Sequence, residues 1–289
     1  MSFDPVITFG TTAAVALIGW GVSHALDTRP FGLPHQTAVS ELVVLGSGSF
    51  EHPQAGEFLK GNHPVAAPIV QQTMEAPLEI MKYQVSISEY GRCVADGACK
   101  PADSRKSGDI PVTGVSHIDA EVYATWLSAR TGQAWRLPTD VEWAYAASEQ
   151  FRGDIEGEGD PNNPARRWLT RYRLETALGR KPDPEPRAQG SFGTNSKGVA
   201  DIAGNVWEWT STCYSHAIIA IDGKRIESSI DNCGVHVVEG FHRTYMSNFI
   251  RDGKSGGCAV GTPPDNLGFR LVRDRPSPVQ AALRRLGFS

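Results

Sequence analysis

The local patterns of the sequence agree with an α+β fold in one irregular, loop-rich domain. The chain has 289 residues, 40% of them hydrophobic, which is enough for one sizeable core or at most two small ones. Its 30 glycines and 19 prolines favour a loop-rich domain over a helical bundle. Few helical patterns, short strand patterns and many turn signals complete the prediction. The net charge of −4 gives no electrostatic indication of nucleic-acid binding.

Residues 1–26 are predicted to be a membrane anchor or a signal segment. Residues 6–26 contain no Asp, Glu, Lys or Arg, and 21 such residues can span a bilayer. The segment lacks a positive leading region, whereas residues 23–25 offer a small-x-small cleavage site. We favour an anchor that holds the chain on the periplasmic side of the inner membrane, or a periplasmic protein if the segment is cleaved. Residues 27–40 are interpreted as a linker.

The first half of the domain begins with strand patterns. Residues 41–50 form a β-branched run closed by a Gly-Ser turn, and residues 78–85 form a second candidate strand. Five residues, including Gly97, separate Cys93 from Cys99, which allows a closed loop at disulfide distance. A metal site would need two more ligands nearby, and none is visible. The apolar N-terminus therefore favours a disulfide.

A helix is predicted to begin after Ser116, which is a good N-cap residue. Ile118, Val122 and Trp126 recur every four residues and, with Tyr123 and Leu127 beside them, predict its buried stripe. His117, on the first turn, is expected to be solvated.

A second helix is predicted after Thr139, which forms a capping box with Glu142. Residues 151–187 then form an insertion, with a solvated acidic loop and a basic helix containing Arg166 and Arg173. A surface helix with one buried side is favoured over docking to an acidic partner.

The stretch from residue 198 to residue 209 reads GVADIAGNVWEW. Gly204 and Asn205 tolerate positive φ and predict a tight turn before a short strand. In that strand Trp207 and Trp209 share one face, while Glu208 points to the other.

Two interpretations of the charged residues in this stretch stay open. Asp201, the turn carbonyls and Glu208 are hard oxygen ligands suited to calcium. Alternatively, the tryptophans are core residues, Asp201 caps a turn, and Glu208 pairs with an arginine.

Four blocks in this order make the sequence resemble the formylglycine-generating enzyme family, also called sulfatase-modifying factors. They are PVTGVS at 111–116, RLPTDVEWAYAA at 136–147, GVADIAGNVWEW at 198–209 and NLGFR at 266–270. The similarity covers most of residues 42–273, within a predicted domain of residues 41–275 that is followed by a short tail, 276–289. It implies the family's α+β, C-type-lectin-like fold.

The resemblance also implies a structural calcium ion. Asp201 and Glu208 stand where the family binds calcium through side chains, and Gly204 and Val206 stand where it uses backbone carbonyls. The resemblance further implies that Phe269 lies in the core, and the planar guanidinium of Arg270 suits a bidentate carboxylate.

The resemblance implies a second disulfide, because similar exported members have cysteines near Cys213 and Cys233. Pairing these two, and Cys93 with Cys99, leaves Cys258 single.

The sequence departs from the family where the oxidation chemistry resides. The family's oxidases bind copper(I) through two cysteines spaced five apart after an RGGS-like turn. Here the corresponding residues 237–251 contain no cysteine, and the turn reads Glu-Gly-Phe-His. His242 and Met246 have helix-like spacing, but two candidate ligands are a weak basis for copper, so copper is not expected. Cys258, His242 and Arg243 are the remaining, weak catalytic candidates.

We therefore predict an exported member that is a binding or maturation factor for an extracytoplasmic protein. The resemblance suggests one form of this role, in which the partner is a periplasmic copper nitrite reductase in denitrification. The rival hypotheses are an oxidase with an altered site that uses Cys258, His242 or Arg243, and a structural scaffold that uses the basic helix around Arg166.

Overall fold

Three sheets and three α-helices form the part of the chain that the computed structural model describes. That part comprises residues 40–103, 107–153, 173, 185–222, 225–253 and 266–275. All of it belongs to one unit, residues 36–289. The predicted anchor, Cys258, the acidic loop, the C-terminal tail and almost all of the linker and basic helix lie outside these residues. Within them, no helix has the length and apolar character needed to cross a membrane.

The strands are mostly short, as the sequence indicates. They are β1 Leu42–Leu45, β2 Gly48–Pro53, β3 Glu57–Lys60, β4 His63–Val65, β5 Ile69–Met74, β6 Leu78–Met81, β7 Ala134–Arg136, β8 Trp207–Ile219, β9 Ile226–Glu239, β10 Thr244–Ser247, β11 Leu267–Gly268 and β12 Val272–Asp274. One sheet has the order β1-β6-β12-β7, a second has β10-β9-β8-β3-β4 with β11 beside β8, and β2 pairs with β5.

Each helix begins with a capping box, in which the N-cap hydroxyl and a carboxylate three residues later satisfy backbone N–H groups. The helices are α1 Ile87–Ala95, α2 His117–Thr131 and α3 Asp140–Ala147, with N-caps Ser86, Ser116 and Thr139. The starts predicted for α2 and α3 are confirmed. Gly132 ends α2 in the left-handed conformation, with φ of 65°.

The buried face of α2 matches the predicted stripe in part. Tyr123, Trp126 and Leu127 are buried as expected, whereas Ile118 and Val122 are 47% and 39% exposed. His117 is 2% exposed, so the expectation that it is solvated was wrong. Its ring stacks on that of His236 in β9, with centroids 3.6 Å apart. His117 therefore lies in the interior, while its neighbour Ile118 faces outward.

Two large core clusters lie on opposite sides of Trp207-Glu208-Trp209, which we call the WEW segment. The larger cluster includes Trp207, Trp209, Phe269 and the buried residues of α1 and α2. The second includes Trp143 of α3. Phe269 is fully buried, as the resemblance implies.

The long hairpin of β8 and β9 was not predicted from the sequence. The strands pair in antiparallel register over most of their length, from Glu208 opposite Glu239 to Ile219 opposite Ile226. Both predicted disulfides are present, Cys93–Cys99 and Cys213–Cys233.

Candidate functional site

The turn that leads into β8 contains more residues with positive φ than the sequence suggests. Three residues other than glycine have positive φ: Asp201 at 55°, Ala203 at 57° and Asn205 at 61°. Asn205 has the conformation that was predicted for it, but Gly204 does not. At Gly204 the constraint is space, since a Cβ there would lie 3.1 Å from the Cβ of Phe192. The turn brings Trp207 and Trp209 into the larger core cluster and directs Glu208 to the other side of the strand.

Glu208 is fully buried and forms a bidentate ion pair with Arg270. Arg270 Nε donates to Glu208 Oε2 at 2.6 Å, and its terminal nitrogen donates to Oε1 at 2.8 Å. Gln84 donates to Oε1 at 2.8 Å, and the Trp143 indole donates to Oε2 at 2.9 Å. Each carboxylate oxygen therefore accepts two N–H groups. This is the arginine pairing that one sequence interpretation proposed.

The guanidinium of Arg270 is equally well satisfied. Its other N–H groups donate to the carbonyls of Met81, Lys82 and Ala200, at 2.9 to 3.1 Å. All five donors of the buried cation are used, and its charge is matched by one buried carboxylate. Such a pair is costly to break, because either partner alone would be a buried, uncompensated charge.

The four predicted calcium ligands lie in this turn and at the start of β8, but the predicted ligand oxygens of three of them face N–H donors in this arrangement. The carboxylate of Asp201 accepts the backbone N–H groups of Gly190 and Phe192, which makes it a turn cap. Both oxygens of Glu208 face donors, and the Gly204 carbonyl accepts the N–H of Val206 at 2.7 Å.

One oxygen near Glu208 does lack a donor. Gln84 Oε1 is buried without a hydrogen-bond partner. A single amide oxygen falls far short of the roughly six to eight oxygen ligands that calcium takes. In the described ranges, no group of three or more His, Cys, Asp or Glu residues could hold a metal ion. Calcium binding by Asp201, Gly204, Val206 and Glu208 stays a prediction.

His242 and Arg243, two of the weak catalytic candidates, lie in the bend between β9 and β10. The backbone of this bend runs against the ring of Trp207, where a Cβ on Gly240 would lie 2.6 Å from the indole. The Trp207 indole donates to the His242 carbonyl at 3.2 Å. His242 Nδ1 lies 2.8 Å from the carbonyl of Arg243, to which it donates. The third candidate, Cys258, lies outside the described residues.

Arg243 is completely buried in a cluster of charged side chains. Its Nε donates to Glu239 at 2.8 Å, and a terminal nitrogen lies 3.2 Å from His52 Nε2 and 3.5 Å from Asp140. A further donor binds the carbonyl of Pro53 at 2.9 Å. The cluster therefore ties the bend to β2, α3 and β9.

Asp140 keeps its charge in this cluster. Burial alone would raise the pKa of Asp140, but the hydrogen bonds from His52 and Thr212 and the charge of Arg243 hold it below its usual value. The His52 contact to Asp140 measures 2.9 Å. Two carboxylates thus share one guanidinium and a histidine in the interior. This arrangement orders the bend.

His242 and Met246 do not lie on a helix, although their spacing is helix-like. Thr244–Ser247 is a strand, β10, and Met246 lies opposite His236 of β9. Residues four apart do not share a face across a bend and a strand in the way they do on a helix. The copper pair considered from the sequence was therefore based on the wrong local structure.

Sequence reasoning missed His52, Asp140 and Glu239 as partners of Arg243. His52 and Arg243 are 191 residues apart in the sequence, so no local motif joins them. It also missed Gln84 and Trp143 as partners of Glu208, for the same reason.

Residues 30–275 match the family model described as the sulfatase-modifying factor enzyme 1-like domain. The chain belongs to this family. A formylglycine-generating enzyme of Streptomyces coelicolor is 30% identical over 176 residues, which are 57% of this chain and 52% of that protein. An inactive C-alpha-formylglycine-generating enzyme 2 of Mus musculus is 30% identical over 186 residues, 60% of this chain and 52% of that protein.

The chain spans about half the length of the curated relatives it matches. A solved structure, PvdO from Pseudomonas aeruginosa, is similar with a TM-score of 0.52 and 23% identity, over 82% of this chain and 95% of that one. At this identity the likeness shows the fold alone. The mixed α/β domain is thus the fold of the sulfatase-modifying factor family.

Proposed function

We propose that this chain is a member of the sulfatase-modifying factor family without copper-thiolate oxidase chemistry, and that it binds or matures another extracytoplasmic protein. The observation that carries the proposal lies in the segment where the family's oxidases bind copper. Residues 237–251 contain no cysteine. In this segment the Arg243 side chain is fully buried in contacts with Glu239, Asp140 and His52. The family's inclusion of a relative described as inactive supports the proposal.

The extracytoplasmic location is part of the proposal. Two disulfides favour an oxidising compartment, since cytosolic thiols are usually kept reduced. The uncharged residues 6–26 supply a tether or an export signal. We place the domain on the periplasmic side of the inner membrane.

The first test addresses catalysis. The full chain, purified with its disulfides intact, is incubated with a cysteine-containing peptide, copper(I) and oxygen, and the peptide is followed by mass spectrometry. We expect no formylglycine, with the Streptomyces coelicolor enzyme as the positive control. Turnover that is lost in the Cys258→Ala variant would replace the binding role with an oxidase that has an altered site.

The second test addresses the partner. The first client we propose is a periplasmic copper nitrite reductase, the one form of this role that the resemblance suggests. The reductase is produced with and without this chain, and its copper content and nitrite reduction are measured. We expect both to rise in the presence of the chain. Equal copper loading in the two preparations would eliminate this client. The first test, on oxidase activity, would be unaffected by that result.

A further inference from the structure

The two disulfides of this chain differ in exposure and in surroundings. Cys93 and Cys99 are buried, at 0% and 7% exposure, within the larger core cluster. Cys213 is partly exposed and Cys233 is exposed, on the β8–β9 hairpin. Because disulfide exchange requires direct access of a thiolate to sulfur, the second disulfide is open to attack and the first is not.

The Cys213–Cys233 disulfide lies at an irregularity in the pairing of β8 with β9. One step along β8, from Cys213 to Tyr214, corresponds to four along β9, from His236 to Asn232. Residues 233–235 are therefore additional residues on β9 relative to β8. The pairs resume on both sides of this irregularity, with Ser215 opposite Asp231 and, after a second register shift, Trp209 opposite Val238. Because Cys233 belongs to none of these pairs, we expect them to persist when the disulfide opens.

A buried histidine lies beside one of the two sulfurs. His236 Nε2 is 4.0 Å from Cys213 Sγ, and its Nδ1 is buried without a hydrogen-bond partner. A disulfide sulfur carries no proton and can only accept, so this contact places the imidazole proton on Nε2. The ring is held by the stacked ring of His117. Burial lowers the pKa of His236, which keeps the imidazole neutral at pH 7.

We propose that Cys213–Cys233 is an exchangeable disulfide that oxidises dithiols, with Cys233 as the attacked sulfur and Cys213 as the leaving group stabilised by His236. This site is separate from the Arg243 cluster, and it is independent of the client-binding role proposed above.

The reaction proceeds in two exchanges. A thiolate of the dithiol substrate attacks Cys233 Sγ and forms a mixed disulfide with it, while the Cys213–Cys233 bond breaks. The electron pair leaves on Cys213, whose thiolate accepts the hydrogen bond from His236 Nε2 and then takes a proton from solvent. The second thiolate of the substrate attacks the substrate sulfur of the mixed disulfide, and Cys233 leaves as a thiolate that takes a proton from solvent, where the two substrate thiols released theirs. The substrate loses two electrons and becomes a disulfide, and the protein gains them as two thiols.

The choice between the two sulfurs follows from the surroundings of each. Exchange is faster when the leaving thiolate is more stable, and attack favours the more accessible sulfur. Cys213 has the histidine and Cys233 has the exposure, so both factors favour attack on Cys233. A monothiol should therefore be trapped on Cys233.

The test compares the two disulfides within one molecule. Cys258 of the full chain is first alkylated under native conditions. Limiting dithiothreitol is then added, and samples are alkylated at intervals and mapped by mass spectrometry. We expect Cys213–Cys233 to open roughly tenfold faster or more than Cys93–Cys99, while the circular dichroism spectrum is unchanged. Equal rates, or opening only when the spectrum is lost, would overturn the proposal.

The attacked sulfur is identified with glutathione in place of dithiothreitol. We expect the glutathione adduct on Cys233, with Cys213 recovered as the free thiol. An adduct mainly on Cys213 would contradict the assigned direction.

The role of the histidine is tested with His236→Gln, and His216→Gln serves as a matched control. His216 lies on β8 three residues beyond Cys213 and bonds to Glu57 instead of a sulfur, at 3.0 Å. A leaving thiolate without the hydrogen bond from Nε2 is less stable and departs more slowly, so opening should be roughly threefold slower in His236→Gln. His216→Gln should leave the rate unchanged. Because a loosened fold would also expose Cys93–Cys99, the ratio of the two opening rates is the readout, and an unchanged ratio in His236→Gln would refute the role of His236.

Discussion

At Glu208 a fully buried carboxylate faces four N–H donors, and its charge is matched by Arg270. We expect Glu208→Gln to destabilise the fold by about 3–5 kcal/mol, because Arg270 would remain a buried and uncompensated cation. The measurement is urea unfolding. The control is Arg130→Gln, which breaks the partly exposed pair with Asp96 and should cost no more than about 1 kcal/mol. Similar losses in the two variants would contradict the role assigned to Glu208.

His117 gives the stability a predictable dependence on pH. Burial and the neighbouring His236 lower the pKa of His117 from 6.5 to about 4. The unfolded chain therefore binds a proton at this residue below about pH 6.5, and the folded chain binds it only below about pH 4. Stability should fall as the pH drops through this window, by about 3 kcal/mol at most.

The variant that checks this dependence is His117→Phe, which keeps a ring beside His236 and Trp209 but cannot titrate. We expect its unfolding free energy to vary less between pH 6.5 and pH 4 than that of the parent chain, in urea titrations at several pH values. Parallel curves for the two proteins would mean that another group causes the dependence.

At the scale of elements, the sequence predicted the features that depend on neighbouring residues, such as the starts of helices. The N-caps Ser116 and Thr139 marked two helix starts, because their hydroxyls satisfy backbone donors within three residues. Ser86 and Glu89 carry the same signal for α1, which could have been predicted from it. The buried face of α2 could not, because the stacking of His117 on His236 is a long-range contact.

Two glycines allow a matched pair of substitutions. Gly240 lies in the bend between β9 and β10, and Gly91 lies in α1. A Cβ on Gly240 would lie 2.6 Å from the Trp207 ring, so Gly240→Ala should destabilise by roughly 1–3 kcal/mol through forced displacement of the indole. A Cβ on Gly91 would meet nothing within 4 Å, so Gly91→Ala should stabilise by roughly 0.5–1 kcal/mol through helix propensity. Thermal unfolding of both variants measures the difference. A destabilised Gly91→Ala or a neutral Gly240→Ala would contradict these contacts.

At the scale of the whole molecule, the ordered blocks were sufficient to identify the family, and the site was predicted only in part. The pairing of Glu208 with an arginine was one of two interpretations, and the bidentate suitability of Arg270 was recognised. The remaining donors, Gln84 and Trp143, come from two distant elements and leave no signal near residue 208. The charged cluster around Arg243 was missed for the same reason, since its partners meet only when three separate elements pack together.

The effect of calcium on stability distinguishes the two interpretations of Asp201 and Glu208, as calcium ligands or as a turn cap and an arginine partner. The resemblance predicts that calcium stabilises this fold, whereas here Arg270 supplies the cation for Glu208 and backbone N–H groups satisfy Asp201. Calcium at about 100 times its Kd would add about 2.7 kcal/mol to a folded state that bound it. That would change the Tm of a chain of this size by roughly 4–6 °C.

We expect a chelator to leave the Tm of the full chain unchanged, and added calcium to act no differently from added magnesium. A Tm that falls with the chelator and recovers with calcium alone would show that the chain binds calcium. Asp201→Asn then locates the ion, because it keeps an oxygen for the Gly190 and Phe192 amides and removes the charge that a calcium ligand needs. If this variant loses the calcium response, the Asp201 carboxylate must exchange its backbone donors for the cation. If the response persists, the ion is bound elsewhere. The ion pair of Glu208 with Arg270 would then stabilise this turn in place of the calcium that the resemblance implies.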